Sequence, residues 1–171
     1  MRLSISEKSL VDEAKHSRES TTTLVAYMMP SDANPSGNVF GGVLMKLIDQ
    51  VGSIVATRHS RCRVVTASID RMDFLKPVYI GDVVTLKASL DYVGRTSMEV
   101  GVRIEAENPQ VGDIRQTGSC FIIYVALDAK GSPKEVPSLI LETEEDRKHW
   151  AEGEMRRRRR LSEIGRLNLP G

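Results

Sequence analysis

The sequence predicts an α+β fold, in which an antiparallel sheet of about five strands wraps around one central helix. Residues 41–60 form the one strongly apolar stretch with helical spacing, and the chain after it changes to a two-residue alternation. A lone apolar helix is buried most simply against one face of an antiparallel sheet. The length of 171 residues fits one such domain with an appended helix.

The chain before the helix is predicted to hold a flexible lead-in and one strand. Residues 1–18 are polar and lack periodicity, whereas the β-branched run 21–29 is typical of a strand that two prolines then end. A turn-rich segment, residues 30–40, leads through two glycines into the helix.

Apolar residues at intervals of three and four predict the helix over 41–60. They are Leu44, Leu47, Ile48, Val51, Ile54 and Val55. Asp49 lies outside this face, on a stripe with Met45, Gly52, Ser53 and Ala56. A charge beside apolar neighbours is costly unless it is paired or used, and small neighbours leave space beside it. The alternative is an exposed Asp49 that pairs with Lys46 or Arg58.

Four strands are predicted after the helix. Residues 62–74 are rich in β-branched side chains, 84–92 and 98–107 alternate between apolar and polar residues, and 116–127 form the last strand. Because alternating strands bury one face, we expect the other face to be solvated, with Glu99, Arg103, Glu105 and Glu107 on it.

The composition changes again after residue 140, to a charged helix. Acidic residues precede the run Arg156 to Arg160, an order that suits the helix dipole. A thin apolar stripe predicts only weak docking on the domain or on another subunit; it consists of Trp150, Met155, Leu161 and Ile164. The predicted organisation is a flexible lead-in over 1–18, a domain over 19–140 and a charged helix over 141–171.

Composition argues against several classes of function. The net charge of +1 gives no overall attraction to nucleic acid, and no apolar run approaches the roughly 20 residues of a membrane span. The amino terminus lacks the apolar stretch of a signal peptide, so we expect a cytoplasmic location. Cys62 and Cys120 lack metal-ligand spacing, and we expect two reduced thiols.

The segment from residue 30 to Asp49 concentrates the groups with chemical potential. Gly41 and Gly42 leave the N–H groups of the helix start accessible, either as an oxyanion hole or only for close packing. Asn34 offers a donor and an acceptor to a water or a carbonyl, although Asn before Pro is also common turn chemistry.

Helix geometry separates these groups. Gly42 and Asp49 are seven residues apart, so about 10 Å of helix lies between them. Groups that act on one carbonyl must each lie within about 3 Å of it. If both are catalytic, the sequence therefore predicts a composite site in a dimer.

A set of linked motifs resembles a known family. The motifs are SDAN (31–34), GNVFGG (37–42), KLID (46–49), VTASID (65–70), DFLKP (73–77) and IGD (80–82). Together they resemble the hotdog-fold acyl-CoA thioesterases of the cytosolic acyl-CoA hydrolase type, over about residues 20 to 140. The resemblance implies hydrolysis of acyl-CoA without a metal or redox cofactor, with coenzyme A present only as part of the substrate.

The resemblance also implies roles for single residues. Asp49 would act as general base, or as nucleophile, with Asn34 supplied by the partner hotdog unit. Phe40 stands where the family has a histidine, so it receives no role in proton transfer. A single hotdog domain implies a homodimer, with a trimer of dimers as the larger assembly.

Two further assignments complete the predicted site. The Gly42 N–H would stabilise the thioester oxyanion, with Gly41 also at the substrate. Arg95, Thr96 and Ser97, at a hairpin turn, are predicted to bind the coenzyme A phosphates, since Arg suits phosphate. Arg95 as a solvated turn residue is the alternative.

Three other functions remain open on sequence. A non-catalytic acyl-CoA-binding sensor would share the fold, and the run Arg156 to Arg160 would suit nucleic acid or an anionic membrane surface. Dehydratases of the same fold use a histidine and an acid. The three histidines of this chain lie outside the loop and helix start, which argues against a dehydratase; they are His16, His59 and His149.

Overall fold

The structure of the protein, a computed structural model, describes residues 14–167, the side chains of 164, 166 and 167 excepted. It confirms the predicted α+β architecture. Helix α1 (Gly41–Ser60) lies on one face of a five-stranded antiparallel sheet and contacts all five strands. The strands are β2 (Thr22–Tyr27), β3 (Arg63–Phe74), β4 (Val83–Val93), β5 (Ser97–Asn108) and β6 (Asp113–Leu127), in the spatial order β2-β4-β5-β6-β3.

The chain before β2 is more ordered than its composition indicates. Lys15–His16 form strand β1, which pairs in parallel with β7 (Leu139–Ile140), and a 3-10 turn follows at Ser17–Glu19. Within the predicted lead-in, residues 1–13 lie outside the described residues. The pairing of β1 joins segments more than a hundred residues apart, which local polarity does not reveal.

The core lies between α1 and the sheet. Leu44, Ile48, Val51 and Val55 face it from the helix. From the strands it receives the alternating apolar residues Val84, Leu86, Ala88, Leu90, Met98, Val100, Val102, Ile104, Cys120, Ile122 and Tyr124. Each fully buried large aliphatic side chain contributes about 1.5–3 kcal/mol. The predicted helix bounds and sheet face are confirmed.

Strand β3 is an edge of the sheet. It pairs with β6 on one side only, with register irregularities between Thr66 and Ser68 and between Ile69 and Arg71. Among residues 14–167 no strand pairs with its other side, and the strand has exposed apolar side chains at Val65, Ile69 and Phe74. A long edge of this kind is a natural surface for another strand.

Helix α2 (Glu144–Leu167) covers the face of the sheet opposite to α1. Glu99 lies on that face, because its neighbours in β5 point into the core, yet it is only 1% exposed. Arg156 Nε donates to Glu99 Oε1 at 2.7 Å, and Arg160 Nη1 donates to Glu99 Oε2 at 2.6 Å. The expectation of a solvated Glu99 was therefore wrong, because α2 buries it.

The same two arginines reach neighbouring strands. Arg156 pairs with Asp91 of β4 at 3.0 Å, and Arg160 pairs with Asp70 of β3 at 3.0 Å. This buried cluster of three acids and two arginines is called the ionic seam below. The contact of α2 with the sheet is therefore made largely by charge pairs, and not mainly by the apolar stripe that the sequence indicated.

Of the described side chains in the predicted apolar stripe of α2, only Trp150 packs against the sheet. Trp150 packs on the ring of Tyr92 at 5.2 Å between centroids, whereas Met155 and Leu161 are exposed. The Ile164 side chain lies outside the described residues. Neither helix in the described range combines the length and hydrophobicity that a membrane span requires.

Candidate active site

The Asp49 carboxylate is held by two neutral hydroxyl groups. Thr66 Oγ1 donates to Asp49 Oδ1 at 2.6 Å, and the Tyr124 hydroxyl lies 3.3 Å from the same oxygen and 3.1 Å from the Asp49 main-chain carbonyl. Among residues 14–167, Asp49 forms no ion pair, and Arg58 donates instead to Thr22 Oγ1 at 3.0 Å. Asp49 is exposed in the single chain, as the alternative supposed, but the pair with Lys46 or Arg58 is absent among these residues.

Sheet register explains why both hydroxyls meet one carboxylate. Thr66 of β3 and Tyr124 of β6 are directly opposite in the antiparallel ladder, so their side chains are neighbours on the face that α1 covers. Asp49, in the third turn of α1, lies above this pair. Neither hydroxyl stands out in the sequence, although Thr66 lies inside the VTASID motif.

The Asn34 side chain is partly used by its own loop. Its Oδ1 accepts hydrogen bonds from the main-chain N–H of Ser36 at 2.9 Å and of Asn38 at 3.2 Å. The turn chemistry considered as an alternative is therefore present. Within the described chain the Nδ2 group has no partner, so Asn34 is available as a donor rather than as an acceptor.

The start of α1 supports both interpretations of its glycines. In the described residues, neither Gly41 nor Gly42 has a hydrogen bond from its main-chain N–H. A Cβ added at Gly42 would lie 2.4 Å from Cε1 of the exposed Phe40 ring, so glycine lets this ring lie against the helix start. The free N–H groups remain suited to an oxyanion.

A cavity of about 320 Å³ opens beside this helix start. Its lining includes Asn34, Gly41, Leu44 and Phe74, but Asp49 does not contribute to it. Gly41 approaches the last residue of β3, Phe74, whereas Asp49 binds Thr66 near the beginning of that strand. One chain therefore does not bring its loop and its Asp49 together.

A second cavity of about 350 Å³ lies beside α2 on the opposite face, lined by Asp91 and His149 among others.

The hairpin between β4 and β5 lies at the Asp49 end of the sheet. Register sets Ser97 opposite Val125, which in turn faces Val65, next to Thr66. Arg95 is exposed and its Nη1 lies 3.2 Å from Glu135 Oε1, while the Thr96 carbonyl accepts a hydrogen bond from the Ala126 N–H. The position suits a ligand near Thr66, and the solvated alternative for Arg95 also remains.

The other candidate groups are separate from this site. In the part of the chain that the structure describes, no three His, Cys, Asp or Glu residues cluster as metal ligands do. Cys62 and Cys120 are both free thiols. Burial raises the pKa of the Cys120 thiol to about 11, which makes it a poor nucleophile at neutral pH.

Comparison with known proteins shows which of them this chain resembles. Residues 36–112 match the family described as the Thioesterase superfamily. A Bacillus subtilis protein described as an uncharacterized acyl-CoA thioester hydrolase is 40% identical over 134 residues, 78% of each chain. The mouse cytosolic acyl coenzyme A thioester hydrolase is 38% identical over 140 residues, which are 80% of this chain and 36% of the longer mouse protein.

Solved structures of acyl-CoA thioesterases also resemble this chain. An apo-hexameric acyl-CoA thioesterase superposes with a TM-score of 0.85 at 34% identity, covering 92% of this chain and 99% of that one. The Staphylococcus aureus acyl-CoA hydrolase, solved with butyryl coenzyme A and coenzyme A, gives 0.84 at 33% identity, covering 91% and 94%. Alanine variants of that hydrolase at an Asp, a Thr and an Asn have also been solved.

Proposed function

The chain belongs to the Thioesterase superfamily, and from this membership we propose that it hydrolyses acyl-CoA thioesters to a free acid and coenzyme A. The observation that carries the proposal is the Asp49 carboxylate, held by neutral donors and free of a cationic partner among the described residues. Such a carboxylate keeps its negative charge available for a water or a thioester. A protein that only binds acyl-CoA would not need a carboxylate held in this way.

The variants of the Staphylococcus aureus hydrolase support the choice of residues. The three substituted positions are an Asn, an Asp fifteen residues later and a Thr seventeen residues after that. Asn34, Asp49 and Thr66 have the same types and the same separations in this chain. We therefore assign Asn34 and Asp49 to catalysis and Thr66 to support of Asp49.

In the proposed reaction, Asp49 takes a proton from water, and the hydroxide attacks the thioester carbonyl carbon. The Gly42 N–H and the amide donor of Asn34 bind the oxyanion or orient the water. Collapse of the tetrahedral intermediate expels the coenzyme A thiolate, which takes up the proton. Direct attack by Asp49, through an anhydride, is the alternative within the same site.

The edge strand supports a site shared between two copies. If β3 of one copy pairs with β3 of another about a two-fold axis, the two strands run antiparallel and the sheet continues. The Phe74 end of one copy, with Gly41 and the Asn34 loop beside it, then comes to the Thr66 end of the other. Each Asp49 meets the loop of its partner.

Larger assembly and location rest on the relatives. The hexameric thioesterase structures support a trimer of dimers. The cytosolic mouse relative supports a cytoplasmic location. For the coenzyme A phosphates we propose Arg95, Thr96 and Ser97, because the register sets Ser97 level with Val65, the neighbour of Thr66.

A thiol-release assay tests the proposed function. The wild-type protein is offered acyl-CoA substrates of short, medium and long chain, and free coenzyme A is measured with a thiol reagent. We expect turnover of at least one chain length and its loss in Asp49→Asn. Binding of acyl-CoA without release of thiol at any chain length would instead identify an acyl-CoA-binding protein.

A further inference from the structure

Tyr124 is the one fully buried tyrosine in the described chain, and its hydroxyl meets α1 at Asp49. The oxygen lies 3.1 Å from the Asp49 main-chain carbonyl and 3.3 Å from Asp49 Oδ1. Burial raises the pKa of Tyr124, and the charge of Asp49 raises it further. The hydroxyl therefore stays protonated at neutral pH, and its single proton is shared between the Asp49 main-chain carbonyl and the Asp49 carboxylate.

The two donors converge on one oxygen of Asp49. Thr66 Oγ1 and the Tyr124 hydroxyl both approach Oδ1, and no described residue donates to Oδ2. A carboxylate bonded at one oxygen loses rotational freedom but keeps its second oxygen available. Oδ2 is thus the oxygen left to meet a water or the thioester carbonyl.

Gly52 makes this arrangement possible. It lies inside α1, where glycine is normally unfavourable, and its backbone is ordinary helix. A Cβ added there would lie 2.5 Å from the Tyr124 hydroxyl oxygen, closer than any real contact. The small residue beside Asp49 therefore leaves room for a tyrosine hydroxyl.

We propose that Tyr124 is a positioning residue for thioester hydrolysis: with Thr66 it fixes Asp49 Oδ1, presents Oδ2 to the reaction, and depends on Gly52 for its place. The inference rests on the proposed function of Asp49. It differs from a purely structural role, in which the hydroxyl merely satisfies a buried polar group and the reaction does not depend on it.

The test is the variant Tyr124→Phe, which removes one oxygen and keeps the ring. We expect kcat to fall about tenfold, because Asp49 loses one of its two anchors, while KM for acyl-CoA stays within about twofold. The matched control is Tyr27→Phe, at an exposed tyrosine of β2, which should keep the wild-type kcat. A normal kcat in Tyr124→Phe, with or without a lower thermal midpoint, would overturn the inference.

The variant Gly52→Ala supplies a second, independent test. The added methyl group should displace the Tyr124 hydroxyl, so kcat should fall by a similar factor. Because both changes act on one contact, the double variant Gly52→Ala/Tyr124→Phe should be no worse than about the poorer single variant. Losses that multiply to about a hundredfold would mean that the two residues act independently, and would contradict the proposal.

Failure of this inference is distinguishable from failure of the proposed function. If wild-type protein releases no thiol from acyl-CoA, the function itself fails. If the wild type is active and Asp49→Asn is inactive, but Tyr124→Phe turns over normally, only the role of Tyr124 is lost.

Discussion

Asp49 and Glu99 are two carboxylates on opposite faces of the same sheet, and they differ in how their oxygens are used. Both oxygens of Glu99 are bound by arginines, one by Arg156 and the other by Arg160, and the side chain is buried. Asp49 has one oxygen on the neutral hydroxyls of Thr66 and Tyr124, and its other oxygen has no partner among residues 14–167. A saturated, charge-paired carboxylate serves structure, whereas a half-saturated one held by neutral donors is available for chemistry.

The physical reason is the balance of charge. Arginines neutralise Glu99 and compensate its removal from water, so breaking either pair leaves a buried charge. Hydroxyl groups orient Asp49 without neutralising it. The ionic seam should therefore respond to mutation mainly in stability, and the Asp49 site mainly in turnover.

The largest expected effect is on catalysis, in Asp49→Asn. The substitution keeps the shape of the side chain but removes its basicity, so kcat should fall by about a thousandfold with little change in the thermal midpoint. Steady-state thiol release and a thermal melt measure both quantities. Asp113→Asn, an exposed acid in β6, is the matched control and should behave as wild type. More than about a tenth of wild-type kcat in Asp49→Asn would contradict the assignment.

Next in size is the loss of stability expected from Glu99→Ala. Two arginines in the ionic seam would lose their shared partner, and the free energy of unfolding should fall by about 3 kcal/mol. Urea unfolding measures it. The control Glu144→Ala removes an exposed acid of α2 that pairs with Arg147, and should cost at most about 0.5 kcal/mol. Equal effects of the two substitutions would show that the seam contributes no more than a surface pair.

A smaller effect is expected from pH, through Asp91. Burial raises the pKa of Asp91 to about 6, against the lowering influence of His149 and Arg156, and Glu99 and Glu152 raise it further. The folded chain then binds this proton more tightly than the unfolded chain, so Asp91 makes the free energy of unfolding fall as pH rises from about 4 to about 6.

Urea unfolding at several pH values in that window checks the sign. Asp91→Asn should remove a decline on the order of 1–2 kcal/mol, which is visible as a difference in slope between variant and wild type. Parallel pH dependences for the two proteins would mean that the Asp91 carboxyl titrates alike in the folded and unfolded chains.

The smallest expected effect is that of Arg95→Ala. If Arg95 contacts a coenzyme A phosphate from its exposed turn, KM for acyl-CoA should rise about threefold with kcat unchanged. Lys130→Ala, at another exposed turn, is the control. An unchanged KM would leave Arg95 as a surface residue that pairs with Glu135.

Much of this architecture could be predicted, because local periodicity reports which side of a strand or helix is apolar. The period of α1 and the alternation of β4 and β5 located the helix and its sheet face. Alternation reports only one face, however. It assigned Glu99 to solvent, because nothing in β5 itself shows that arginines more than fifty residues later cover it.

The residues of the candidate site also fall into two groups, those that the sequence alone indicates and those that it does not. Asp49, Asn34 and Gly42 stand out locally, as a charge on an apolar helix and as polar and glycine residues at a helix start. The stripe of small residues beside Asp49 indicated free space, but not that Tyr124, 75 positions later, fills it through Gly52. Contacts across the sheet depend on register, which a single strand does not specify.

The central claim is that each site combines Asp49 of one copy with the Asn34 loop of another, and mixing two inactive variants tests it directly. Asp49→Asn and Asn34→Ala are co-expressed in equal amounts and purified together, and thiol release is compared with each variant alone. A shared site predicts recovery of about a quarter of wild-type activity, because half of randomly formed dimers contain one intact site of two. Mixed assemblies as inactive as the parent variants would show that Asp49 and Asn34 act within one chain, and would contradict the claim.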